Sequence, residues 1–366
     1  MFKVNHAILH VFDFVSCVNV FSEDELDLTN KNVKSYVMRI ARHTLGGMDN
    51  RRGEFFPDSG FAAELTAYFA GERDFVDLSV QVAQFMAEEL GHMENPTSCD
   101  ALVVDFEDQE KSPAMPALPD DATDEEIAAA TEAAQAAAYQ ARSERYFGLL
   151  LLESKPAFMH EVGRGEDGGT RNNIERHHAI LPNPSQKIAS FALVNARTMA
   201  VQFVDKPREI AGEERWLIPD GLLQCSNEAS SKELFDTTMG LVEEVADEFG
   251  VNSAVAMGRA KAYLAENADD SDEVPFDEFV DEVFDDEAPR RRFEEAAADE
   301  QLGDRVHMER DVAKRVSRNH KIVTDTGIVL TFPAEYSHNT ELIEFKSAPN
   351  GLIQIELKNI GSIENR

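Results

Sequence analysis

The sequence predicts a mixed α+β protein. An N-terminal antiparallel or mixed sheet with flanking helices is followed by a helical C-terminal region closed by a small antiparallel sheet. Three observations lead there. Short apolar runs separated by polar turns cluster between residues 146 and 204, as in a meander. Apolar residues recur every three or four positions from Ser230 to about residue 316. Short strand patterns then return after Lys321, with Asn350-Gly351 as a hairpin signal between the last two.

Ala7–Val15 reads as the opening strand. Asp27 and Asn30 precede a helical pattern through Val33, Tyr36, Val37, Ile40 and Ala41, and Gly46, Gly47 and residues 50–53 form a turn. Two further helices are expected over Phe61–Ala70 and Phe75–Leu90, then a strand over Ala101–Phe106. Residues 108–142 differ in composition. Pro113, Pro116 and Pro119 make a stiff connector, and an Ala- and Glu-rich helix is expected over about Glu125–Arg142, as an insertion or surface arm. Strands follow at Tyr146–Leu152, Ala157–Val162, Ile174–Leu181, Lys187–Val194 and Met199–Val204. Helices are expected over 234–249, Ala254–Glu266, from Pro275, over 289–301 and over 306–316. The closing strands are Lys321–Val323, Ile328–Phe332, Leu342–Phe345 and Leu352–Leu357. A domain boundary is expected near 222–230, giving an α+β domain over 1–225 and a helical domain over 226–366.

Composition excludes several classes. An apolar share of 43% is enough for a sizeable core, so the chain is neither disordered nor fibrous. With 69 acidic and 35 basic residues the formal charge is -34, so nucleic acid cannot be held by the bulk field and needs a local basic patch or a partner. Residues 1–21 lack the pattern of an export signal and no run suits a membrane span, so a cytoplasmic protein is expected. Cys17, Cys99 and Cys225 are too far apart in sequence to suggest a zinc site.

No catalytic signature emerges. There is no Walker loop, no Gly-x-Gly-x-x-Gly opening a helix and no Gly-x-Ser-x-Gly elbow. Gly163-Arg164-Gly165 sits between hairpin strands and reads as a turn. Cys99 has no adjacent base, and neither His6/His10 nor His177/His178 offers converging metal ligands. The acidic run 269–273 lacks the glycine and closing glutamate of a calcium loop. Glu344-Phe345-Lys346 and Glu356-Leu357-Lys358 each resemble the Glu-x-Lys strand of metal-dependent nucleases, against the simpler reading of alternating residues facing water. No cofactor and no metal are expected.

Charge patterning says more. From Glu266 to Glu287 there are twelve acidic residues and no basic one. Such a block is a solvated face or, with Asp277, Asp281 and Asp285 on a helix, a docking site for a basic partner. Arg290, Arg291 and Arg292 follow, then Arg305, Arg310, Lys314, Arg315, Arg318 and Lys321. Arg310, Lys314 and Arg318 recur every four residues, so this strip is the candidate phosphate-contacting surface.

The chain also resembles the NdpA-like (YejK-like) bacterial nucleoid-associated protein family. The residues that carry the likeness are Ala7–Asp13, Asp74-Phe75 with Ser79 and Ala83–Met86, Ala101–Phe106, Leu149–Lys155 and Phe158–His160. The C-terminal segments Lys321–Ile328, Phe332-Pro333, Asn350–Ile355 and Lys358–Ile360 carry it furthest. The resemblance spans most of the chain and implies association with the bacterial chromosome, without active-site residues. The expectation is a non-enzymatic protein of the cytoplasm and nucleoid that contacts DNA weakly through the Arg290–Lys321 strip or reaches it through a DNA-handling protein. Two alternatives stand beside it. One is an acidic interaction module for a topoisomerase-like or phage-defence partner, and the other is a divalent-metal nuclease. A strand or helix face is available to pair two copies, which leans the expectation towards a homodimer.

Overall fold

A computed structural model describes residues 2–109, 143–153, 155–164, 170–268, 273–303, 305–347 and 352–364. The helix expected over 125–142, the acidic run 269–272 and the Asn350-Gly351 turn lie outside the described residues. The chain divides into two compact units, Met1–Glu228 and Ala229–Arg366.

The first unit opens with β1 (Phe2–Asp13) and β2 (Val18–Val20), then α1 (Lys31–Leu45), β3 (Arg51–Gly53), α2 (Gly60–Phe69) and α3 (Phe75–Gly91). It continues through β4 (Cys99–Gln109), β5 (Ser143–Glu153), β6 (Lys155–Arg164), β7 (Thr170–Ile180), β8 (Ser190–Asn195) and β9 (Val201–Val204). Seven strands form one sheet in the order β2-β1-β4-β5-β8-β9-β3. Every neighbouring pair is antiparallel, so the mixed alternative does not arise in the sheet.

Both faces of this sheet are covered, which explains the unbroken apolar run Leu149–Leu152. Phe147, Leu149 and Leu151 point into a core with α2 and α3, built on Leu65, Leu78, Val82 and Met86. Leu150 and Leu152 point the other way, to Val37, Ile40 and Ala41 of α1. Strand residues alternate between faces, so two buried faces leave no polar phase. Each helix start is capped by a side chain. Asn30 accepts from the Asn32 amide, Ser59 from Ala62, and Asp74 from Val76 and Asp77.

The structure corrects the meander in two places. β6 and β7 pair only with each other, as a separate two-stranded ribbon, and are not part of the main sheet. Phe158 and Ile174 on it are 72% and 73% exposed, because polar neighbours leave no continuous apolar face to bury. A second hairpin, β10 (Pro207–Ile210) and β11 (Glu213–Trp216), follows β9 and was not expected. Its two-residue turn places Ala211 at φ 53° and Gly212 at φ 84°, a left-handed pair that matches strand twist. A π-helical turn, Leu217–Leu223, then buries Leu217, Ile218, Leu222 and Leu223.

The second unit is built on α4 (Ser231–Glu248), α5 (Ser253–Asn267), α6 (Phe276–Val283), α7 (Glu287–Asp299) and α8 (Arg310–Ser317). Ser230 and Glu233 form a capping box at the start of α4. Val242, Val245, Phe279, Val280, Phe284 and Phe293 make its core. The helix expected over 306–316 begins only at Arg310, because β13 (Arg305–His307) pairs with β12 (Glu273–Pro275), setting Val306 opposite Val274. Two hairpins close the unit, β14 (Asn319–Val323) with β15 (Val329–Pro333), and β16 (Ile343–Ser347) with β17 (Ile353–Leu357). A 3-10 turn, Ala334–His338, lies so close to α5 that a Cβ at Gly258 would sit 2.5 Å from the Ser337 Oγ.

Candidate nucleic-acid interface

The expected basic strip is divided by its partners. Arg290 donates to the Asp281 carboxylate at 2.5 Å and to the carbonyl oxygens of Phe284 and Asp285 at 2.6 and 3.2 Å. Arg291 faces Glu295 one turn on, at 3.7 Å. Arg292 reaches Glu248 at 3.0 Å and Glu244 at 3.4 Å, on α4, and these carboxylates hold its guanidinium above the usual value. Asp281 is thus occupied by Arg290, and Asp285 by Arg259 at 3.0 Å. Part of the acidic docking face and part of the basic strip neutralise each other. Asp277 remains exposed on α6.

Further along, Arg305 pairs with Pro275 across β12 and β13. Arg310 and Lys314 are exposed on α8. Arg315, in the last turn of α8, and Arg318, its C-cap, are exposed and stand where a helix C-terminus favours positive charge. Lys321 is exposed on β14, opposite Thr331. Arg315, Arg318 and Lys321 have no carboxylate partner among the described residues.

The two Glu-x-Lys segments are the paired strands β16 and β17, with Glu344 directly opposite Glu356. Like charges face to face would repel. Lys346 lies between them, 3.2 Å from Glu344 and 2.5 Å from Glu356, and Lys358 also pairs with Glu344. These lysines hold the Glu344 carboxyl below the usual carboxylate range. The carboxylates are tied to ammonium groups on a solvent-facing hairpin. Among the described residues no group of three or more His, Cys, Asp or Glu side chains could hold a metal ion.

Two buried polar clusters in the first unit are structural. Asp105 is fully buried, accepting from the Tyr68 hydroxyl at 2.6 Å, the Asn5 amide at 2.9 Å and Arg145 Nε at 2.9 Å. Desolvation and Asp105 push the Tyr68 hydroxyl up, and Asp105 does the same to Arg145. His10 is also fully buried. Its Nδ1 accepts the Ser22 amide at 3.1 Å, so the proton sits on Nε2, facing Ser79 Oγ at 3.2 Å. Burial lowers its pKa to about 4. His6 instead pairs with Glu25 at 3.0 Å, so the two histidines do not converge on one site.

A surface that sequence reasoning passed over lies on α1. Lys31, Lys34, Arg39, Arg42 and His43 all face solvent, and the helix contains no acidic residue. In a chain with 69 acidic residues, an acid-free fifteen-residue helix was the available signal.

The described elements define a mixed α+β protein. A family model described as nucleoid-associated protein YejK (NA37) matches residues 8–364, nearly the whole chain, and the chain belongs to that family. No curated protein matches it. No helix among the described residues is long and apolar enough to cross a membrane.

Proposed function

We propose that this chain is a non-enzymatic protein of the cytoplasmic nucleoid that touches DNA directly and weakly, through local cationic side chains on an anionic body. The observation that supports it, beside family membership, is the set Arg315, Arg318 and Lys321, exposed and without carboxylate partners among the described residues. Phosphate contacts by Lys and Arg release counterions, so binding weakens with salt in proportion to their number. A titration of a short duplex by fluorescence anisotropy between 50 and 200 mM salt tests this. Changing all three to Gln is expected to remove about 2.7 from the log–log salt slope, at about 0.9 per contact. An unchanged slope removes this set from the interface, and no binding at the lowest salt rejects direct contact.

A further inference from the structure

We propose that the solvent face of α1 is a docking track for the phosphates of duplex DNA. The proposal rests on the chromosome-contact reading above and adds a surface in the first unit. Lys31, Lys34, Arg39, Arg42 and His43 occupy the side of α1 opposite the buried Val37, Ile40, Ala41 and Thr44. Ser35, Met38 and Asn32 fill the rest of that side, so no carboxylate interrupts it.

Internal pairing does not account for these charges. None of the five has a carboxylate partner among the described residues, unlike Arg290, Arg291 and Arg292. Arg42 instead lies over the Phe2 ring, 5.0 Å from its centre. The helix dipole explains Arg42 and His43 at the C-terminal end, but Lys31 and Lys34 stand at the end where positive charge is disfavoured. The first turn supplies no acid to offset them. Upstream, Asp27 is bonded to Thr29 and Glu25 to His6. A bound polyanion would offset this cost.

Shape agrees. A cleft of about 340 Å³ runs along Lys31, Lys34, Met38, Arg39 and Arg42. A second, of about 500 Å³, lies between Arg39, Arg42, His43 and the turn at 183–185, sharing Arg39 and Arg42 with the first. The Tyr36 hydroxyl donates to the Pro182 carbonyl at 3.0 Å and ties that turn to α1. From Lys31 to His43 the helix rises about 18 Å, at about 1.5 Å per residue. That matches about five nucleotides of one strand at about 3.4 Å each.

The test compares the full chain with a Lys31→Gln, Lys34→Gln, Arg39→Gln variant, and with a Lys31→Arg, Lys34→Arg, Arg39→Lys variant that keeps the charge. Both are titrated with a 20-base-pair duplex over 50–200 mM salt. The neutral variant is expected to lose about 2.7 from the salt slope and at least about tenfold in affinity at the lowest salt. The charge-keeping variant is expected to bind as the parent does, which separates charge from folding. Parent binding with an unchanged slope in the neutral variant overturns the α1 assignment and leaves the chromosome reading standing. No parent binding overturns both. Displacement of duplex by poly-glutamate as effectively as by unlabelled duplex, at equal charge, also overturns it, in favour of an acidic polypeptide partner.

Discussion

Replacing Arg145 with Met removes the cation bonded to the fully buried Asp105 carboxylate. Asp105 retains the Tyr68 hydroxyl at 2.6 Å and the Asn5 amide at 2.9 Å, but loses both the charge and the Nε donor. Breaking one side of a buried ion pair costs about 3–5 kcal/mol. Arg145 is 34% exposed at its side chain, so water can reach part of the vacated site, and the lower end of that range applies. The guanidinium also covers the rings of Tyr68 and Phe69 at 5.4 and 5.5 Å, which adds about 0.5–1 kcal/mol. The expected loss is about 3–4 kcal/mol. Trp216, the single tryptophan, lies in the same unit, so its fluorescence during urea unfolding reports this loss. At about 2–3 kcal/mol per molar, the midpoint falls by about 1 M or more. Arg145→Met with Asp105→Asn is expected to be more stable than Arg145→Met alone, because no buried charge is stranded. A loss under about 1 kcal/mol, or a double variant worse than the single, refutes the reasoning.

Other consequences are measurable in the same way. Burial raises the Asp100 carboxyl to about 6, so its charged form costs the fold stability that is intact below the unfolded value near 3.8 and lost as pH rises through 6. Asp100→Asn is therefore expected to stabilise the first unit by about 2–3 kcal/mol at pH 8 and not at pH 3.5. His10 works in the opposite sense, because its pKa is lowered to about 4 and the unfolded chain takes up the proton first, so stability falls from about pH 6.5 downward. In the parent the two partly cancel between pH 4 and 6, and Asp100→Asn should make the acid limb steeper. Equal slopes in parent and variant would falsify this. In the second unit, Ser230→Ala removes the hydroxyl that accepts the Glu233 amide, keeps the backbone N–H that donates to the Glu233 carboxylate, and is expected to lower stability by about 1 kcal/mol, read by the thermal midpoint in circular dichroism.

Much of the local structure is legible because it depends on near neighbours. The caps at Asn30, Ser59, Asp74 and Ser230, the periodicity of α3 and α4, and the apolar run of β5 all follow from side chains a few residues apart. The misses have a common cause. β13 is a strand because Val274 lies opposite Val306, 32 residues earlier, and β6 and β7 pair with each other rather than with the seven-stranded sheet. Neither partner can be read from the local pattern.

The same division runs through the candidate sites. Composition and order along the chain by themselves determined the α+β class, the family resemblance and the need for any nucleic-acid contact to be local, since these depend on residue types and short spacings. Which cations are available was decided only in three dimensions. Arg292 is taken up by Glu244 and Glu248, more than forty positions away, while Lys34 and Arg39 meet no acid among the described residues. Coulomb attraction acts over a few ångströms of space and not over sequence distance, so the fold chooses which charges are neutralised and which face solvent.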